Sequence, residues 1–227
     1  MIEQILSSHS LIEGTQELPN ILTISRDIKL IDQKKGYPNN LLGLDQSSFD
    51  DLGKKYIDET KWARSSTPYF IDKMPNNFVH IGLIKLILPK AKIIDARRNP
   101  MDTCFSCFKQ YFAKGQHFTY DLDDIARYYN DYVRLMDYWK KLFPEEIFTI
   151  NYEQVIENPN DRIRDLLEFC NVKFEDSCIN FHKSKRPVKT ASSEQVRQPM
   201  YKTGLDYWKN YSNHLDTLLK HFPEYDR

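Results

Sequence analysis

Three short, strongly apolar segments, each followed by a stretch with helical periodicity, constrain this chain more than any other feature. Tyr69-Phe70-Ile71, residues 92–96 around Ile93-Ile94, and Ile147-Phe148-Thr149-Ile150 read as strands, the first of them buried. Asn76 or Asn77 opens a helix through Phe78, Ile81, Leu83, Ile84 and Leu88, stopped by Pro89. Asn99-Pro100 opens another, with a good capping residue followed by a ring suited to the first turn. Residues Ile163, Leu166, Leu167 and Cys170 mark a helix after the third strand. Strands separated by helices point to an α/β architecture with a parallel sheet and flanking crossover helices. In such sheets ligands collect at the carboxyl ends of the strands, which singles out Asp72-Lys73, Arg97-Arg98 and Asn151-Tyr152.

The remaining segments fit around this frame. Residues 2–8 read as the tail of a helix and 17–28 as a second helix. Ser47-Ser48 with Asp50 and Asp51 reads as the start of a third, ending near Arg64. Asp121 caps the longest helix, whose apolar stripe is Leu122, Ile125, Ala126, Tyr129, Val133, Met136 and Trp139. Residues 183–202 are polar and basic with two prolines and read as a long loop, and 207–222 as a closing helix. With 227 residues, 41% of them hydrophobic, the expectation is a single domain over 1–227 with a sizeable core.

Composition then removes function classes. Lys+Arg and Asp+Glu are 32 each, so the totals give no broad electrostatic grip on nucleic acid. No apolar run approaches the roughly 20 residues of a membrane span. The start lacks the basic-then-apolar order of a signal peptide, and four cysteines without a second close pair form no zinc site. These features predict free thiols and a cytoplasmic setting. Seven glycines supply neither GxGxxG nor GxxxxGK[ST], which disfavours a nucleotide kinase of the P-loop type. The six histidines show no ligand spacing, so no metal is expected.

Four local patterns carry chemistry, each with a bland alternative. Arg97-Arg98-Asn99-Pro100 joins a strand end to a helix start, where free N–H groups and an arginine fork favour an anion. Ser106 lies two turns further along the same helix, within reach of such an anion; the alternative is a solvated arginine pair and a helix-face serine. Lys73, in a proline turn after a strand, suits charge neutralisation, or is a surface lysine. Glu17, in a turn between two helices, could take a proton from a hydroxyl, or is a helix-start charge. The basic residues Lys183, Lys185, Arg186, Lys189 and Arg197, with Thr190, Ser192 and Ser193 among them, form a lid over an anion or a solvated loop.

Taken together, the blocks Ile-Glu-Gln-Ile-Leu-Ser-Ser-His-Ser (2–10), Asp-Lys-Met-Pro-Asn-Asn-Phe (72–78), Arg-Arg-Asn-Pro-Met-Asp-Thr-Cys-Phe-Ser (97–106), Asn-Tyr-Glu-Gln (151–154) and Thr-Ala-Ser-Ser-Glu-Gln-Val-Arg-Gln-Pro (190–199) resemble the sulfotransferase family. The likeness is to the branch of tyrosylprotein sulfotransferases and bacterial sulfotransferases fused to tetratricopeptide (TPR) repeats. It implies a P-loop-NTPase-like parallel fold and sulfuryl transfer from 3′-phosphoadenosine 5′-phosphosulfate (PAPS) to an acceptor hydroxyl, without a metal. By motif, Glu17 resembles the general base, while Lys73 and Ser192 resemble the residues that steady the bridging oxygen. Arg98 and Ser106 resemble the 3′-phosphate pair, and Tyr152 an adenine-side contact. Arg197 and Gln198 resemble further phosphate-end contacts. The acceptor could be a protein tyrosine, a sugar or a small hydroxyl compound, and a TPR region upstream in a longer parent is implied.

The chain departs from that pattern in two ways. The first strand and the Pro-Arg-Ser-Gly-Thr-Thr-type loop that cradles the 5′-phosphosulfate are absent, so the expectation is impaired turnover. The alternative is a non-catalytic remnant that binds a 3′-phosphoadenosine nucleotide or a partner protein. Further, Glu17 is followed by Leu18, Pro19 and Asn20 rather than by the arginines that tyrosylprotein sulfotransferases use for acidic peptides.

Overall fold

A computed structural model describes residues 1–15, 17–31, 34–65, 67–112, 115–184, 200 and 204–225. The fold is mixed α/β and mostly helical. In chain order the elements are α1 (Ile2–Ser7), β1 (Ile12–Gly14), α2 (Asn20–Ile31), α3 (Gln46–Glu59), β2 (Tyr69–Ile71), α4 (Ile81–Ile87), β3 (Ile93–Arg97) and α5 (Pro100–Lys109). They continue as α6 (Leu122–Leu142), β4 (Ile147–Asn151), α7 (Tyr152–Glu157), α8 (Pro159–Phe169), α9 (Asp176–Ile179) and α10 (Asp216–His221). No described helix is long and apolar enough to cross a membrane. The backbone groups into two compact units, Met1–Ile93 with Ile163–Pro199, and Ile94–Arg162 with Met200–Arg227.

In the first unit β1 and β2 pair in parallel, Ile12 opposite Tyr69, Glu13 opposite Phe70 and Gly14 opposite Ile71. Three helices cover an apolar cluster of Ile21, Ile24 and Ile28 from α2, Phe49 and Tyr56 from α3, and Leu83 and Ile87 from α4. The backbones of α3 and α4 nearly touch. A Cβ at Gly53 would lie 2.2 Å from the Ile87 carbonyl oxygen, so only glycine allows this approach. Elsewhere in the unit α1 packs on α9. The turn after α1 is pinned from the far end of the sequence. His9 Nε2 donates to the Lys173 carbonyl at 2.8 Å, and its Nδ1 accepts from the Leu11 amide at 3.0 Å. The Ser10 amide donates to Glu175 at 2.9 Å.

In the second unit β3 and β4 pair, and a separate cluster forms around Met101, Cys104 and Phe105 of α5, Ile125 and Ala126 of α6, Trp208, Leu215, Leu218 and Phe222. Both anticipated caps are made. Asn99 Oδ1 accepts from the Met101 and Asp102 amides at 2.9 and 3.3 Å, and Asp121 Oδ1 from the Asp123 and Asp124 amides at 2.8 and 3.1 Å. All four cysteines are free, and burial pushes the Cys104 thiol up to about 12.

Several expectations need correction. The residues before Glu17 are a strand rather than an inter-helix turn, because β2 supplies a partner that a three-residue segment does not announce. The helix expected over 17–28 starts at Asn20, one residue after Pro19. Asp45, not Ser47 or Ser48, caps α3, and Ser48 is the donor at 2.9 Å. Tyr69, read as buried, is 49% exposed. A six-residue helix, α7, follows β4 directly. The stretch 207–222 divides into a 3₁₀ segment Tyr207–His214 and then α10.

Candidate functional site

Two groups of the singled-out residues stand at the carboxyl ends of strands, one in each unit. In the first unit the parallel register does the positioning. Thr15 follows β1, and both its amide and its hydroxyl donate to the Ile71 carbonyl, at 3.1 and 2.7 Å. That lock sets the exits of β1 and β2 side by side. Two residues beyond, Glu17 meets Lys73, with Nζ 2.5 Å from Oε1 across 56 positions of sequence. Glu17 is exposed on the surface and Lys73 is half-buried.

Beside Lys73 stands Asp72, which the strand-end rule singles out but to which the sequence assigns no role. The Tyr56 hydroxyl donates to its Oδ2 at 2.8 Å, while Oδ1 is buried with no hydrogen-bond partner among the described residues. Burial pushes the Asp72 carboxyl up to about 6, against the Tyr56 hydroxyl, the Leu18 amide and the Lys73 charge, which pull it down. Burial likewise raises the Tyr56 phenol. The corner thus offers an exposed carboxylate able to accept a proton and an ammonium able to meet developing negative charge.

In the second unit the two consecutive arginines diverge, as successive strand residues must. Arg97 turns to buried Asp95, with Nε 2.7 Å from Oδ2, and to Asp137 at 3.5 Å. Asp95 also accepts from the Tyr132 hydroxyl and from Thr149 at 3.2 Å, with Lys140 3.4 Å away. Arg97 is therefore committed to an internal charge network. Arg98 turns the other way. Its Nη2 donates to the Gly204 carbonyl and lies 3.6 Å from Asp102, and its guanidinium stands 5.2 Å over the Tyr152 ring. Its carbonyl accepts from the Tyr129 hydroxyl at 3.0 Å.

Glu153 Oε1 accepts from the Asn99 amide at 2.9 Å, which fixes the turn that carries Arg98. A cleft of about 260 Å³ opens at this turn, with Arg97, Arg98, Asn99, Tyr129, Glu153 and Tyr225 among its walls. A positive group at the start of the ten-residue α5, beside aromatic rings, is suited to an anionic ligand that also carries a flat ring.

The structure therefore brings Glu17 to Lys73 and Arg98 to Tyr152. Ser106 is exposed on α5, and Arg98 takes its contacts from Asp102, Gly204 and Tyr152. Ser192, Arg197 and Gln198 lie outside the described residues, as do Lys185, Arg186 and Lys189 of the expected lid. Sequence reasoning missed Asp102 and Gly204. For Asp102 a signal was present, an acid four residues after Arg98 in a helical first turn; for Gly204, 106 positions away, none was. Among the described residues one acidic group, Asp121, Asp123 and Asp124, has the spacing to hold an ion. There Asp121 is the α6 cap, and Asp123 pairs with His221 and Arg127, each at 2.6 Å.

Comparison with known proteins bears on the family and the fold. A model described as the sulfotransferase family matches residues 1–176. An uncharacterized protein of Aquifex aeolicus (strain VF5) is 36% identical over 229 residues, covering 97% of this chain. The chain spans 30% of the length of that curated relative. The sulfotransferase domain from the curacin biosynthetic pathway superposes with a TM-score of 0.53 at 15% identity, covering 96% of this chain and 84% of that one. At such low identity the superposition speaks for the fold alone.

Proposed function

This chain belongs to the sulfotransferase family, and from that premise we propose that it transfers a sulfuryl group from PAPS to an acceptor hydroxyl. The observation that carries the reading is the Glu17–Lys73 pair, a base and a cation brought together across 56 residues by the parallel register of β1 and β2. In the proposed step the acceptor oxygen forms a bond to sulfur as the bond from sulfur to the nucleotide's bridging oxygen breaks. The acceptor's proton passes to the Glu17 carboxylate. Lys73 meets the charge that grows on the bridging oxygen, with Ser192 as its hydroxyl partner. Sulfuryl transfer, like phosphoryl transfer, depends on placement and charge neutralisation more than on covalent catalysis.

Arg98 takes the 3′-phosphate of the nucleotide in this scheme, with Tyr152 on the adenine side, and Ser106, Arg197 and Gln198 as further phosphate contacts. The support is the basic turn at the start of α5 and the ring beneath the guanidinium. The acceptor hydroxyl belongs to a protein tyrosine, a sugar or a small hydroxyl compound, a choice the motif blocks leave open. The free thiols of Cys104, Cys107, Cys170 and Cys178 fit a cytoplasmic setting.

The test is transfer of labelled sulfate from PAPS to a panel of tyrosine peptides, sugars and phenols, run beside thermal melts with 3′,5′-adenosine bisphosphate. Label transfer, and a nucleotide-dependent rise in melting temperature that Arg98→Ala abolishes, are the expected results. Binding without transfer turns the reading into that of a nucleotide-binding protein. Neither binding nor transfer sinks it.

A further inference from the structure

The functional reading leaves the buried carboxylate of Asp102 without a role. Asp102 is only 2% exposed, and it is committed on three sides. Its Oδ2 accepts from the Asp206 amide at 2.9 Å and its Oδ1 from the Trp208 amide at 3.1 Å. Its Oδ2 also lies 3.6 Å from Arg98 Nη2. A carboxylate that takes two backbone amides more than 100 residues away fixes that distant segment in place.

The segment it fixes is the one that touches Arg98. The Gly204 carbonyl accepts from Arg98 Nη2, and a Cβ at Gly204 would stand 3.4 Å from Tyr152 Oη and 3.8 Å from Arg98 Nη2. Two residues on, Asp206 holds a left-handed backbone, with φ at 55°, which side chains other than glycine seldom adopt. From that conformation its amide donates to Asp102. Trp208, next to be gripped, is itself buried in the apolar cluster of this unit.

Resting on the sulfotransferase reading above, we propose that Asp102 is a positioning residue for the nucleotide's anionic end. It clasps residues 204–208 to the first turn of α5, and the clasped carbonyl and the Tyr152 ring hold the Arg98 guanidinium in one posture. The Arg98 Nε is buried with no hydrogen-bond partner among the described residues, so the group presents itself to a ligand through its outer nitrogens. Preorganisation of this kind raises affinity by removing the ordering that binding would otherwise require.

The proposal makes a prediction whose sign differs from that of simple electrostatics. Asp102 places a negative charge beside the arginine that takes an anion. Neutralising it should therefore tighten anion binding if charge alone mattered. If Asp102 positions the arginine, neutralising it weakens binding, because a carboxamide in its place has one acceptor oxygen and cannot serve both amides.

The experiment is calorimetric titration of 3′,5′-adenosine bisphosphate into the wild-type chain, Asp102→Asn and Asp102→Ala, with hydrogen exchange of the Asp206 and Trp208 amides followed in parallel. The nearly isosteric Asp102→Asn variant gives the answer where Asp102→Ala does not fold. The expected result is a tenfold or greater loss of affinity in Asp102→Asn with faster exchange at both amides. Wild-type binding with an unchanged or tighter Asp102→Asn overturns the positioning role and leaves the functional reading standing. A wild-type chain that binds no nucleotide overturns both.

Discussion

The Glu17–Lys73 corner and the Arg98 corner each stand where a strand ends, yet they are held in different ways. Glu17 and Lys73 are brought together by backbone, through the lock between Thr15 and the Ile71 carbonyl, and their side chains meet with 47% and 31% of their surfaces open. Arg98 is gripped by side chain and backbone at once: a carbonyl, a ring and a carboxylate that is 2% exposed. An exposed ion pair contributes at most about 1 kcal/mol to stability, so the first corner can change its partners at little cost to the fold. Arg98 is about as open as Lys73, but it is bonded on several sides and tied to a buried carboxylate, so it cannot. The difference suits the division of labour proposed for them, since a base must release one partner and accept a proton, whereas an anion grip gains from being fixed in advance.

The sharpest way to break this comparison is Glu17→Gln. Loss of a general base lowers turnover by about 10²–10⁴-fold, while the melting temperature should hardly move because an exposed pair contributes so little. Label transfer and thermal melts on one preparation check both halves. A variant with wild-type turnover removes Glu17 from the chemistry, and one that unfolds shows that the corner is structural after all.

Next in size is the pH dependence that Asp72 lends to the first unit. Burial raises its carboxyl from 3.8 to about 6 in the folded chain. The folded state therefore holds the proton more tightly than the unfolded state. Its contribution favours folding below about pH 4 and is lost as pH rises through about 6, a change of about 3 kcal/mol. Asp72→Asn should flatten that slope, read by urea unfolding at a series of pH values. An equal slope in both chains would place the buried charge elsewhere.

The smallest effect is expected at the α5 cap. Asn99→Ala removes the acceptor for the Met101 and Asp102 amides and should lower stability by about 1 kcal/mol. Denaturant unfolding measures it. Because this cap supports the turn that carries Arg98, nucleotide affinity should fall with it, in contrast to the independence expected of Glu17.

What the sequence disclosed, and what it withheld, follows the range of the forces involved. Caps are local: Asn99 and Asp121 act within four residues, and both were readable. The apolar cores of β3 and β4 were readable as well, because their runs of isoleucine have no other use. β1 was hidden, since Ile12-Glu13-Gly14 becomes a strand only when Tyr69-Phe70-Ile71 lies beside it. Individual site residues could be named from the strand-end rule, but the partner of each could not. Nothing near Arg98 in sequence announces Gly204, and nothing near Asp102 announces the amides of Asp206 and Trp208. Ser106 shows the same limit from the other side, for helical spacing can place it within reach of an anion at the turn but cannot say which groups flank Arg98.

The pairing of Gly14 with Ile71 has a consequence for how this protein can vary. The connection between the two strands can lengthen, shorten or be replaced without disturbing what happens at their tips, provided the helices it contains still seal the apolar interior. An inserted residue between Gly14 and Glu17, or between Ile71 and Lys73, would instead throw the acid and the amine out of step. Tolerance to indels should therefore be wide across the long excursion and nearly nil in these two tiny windows.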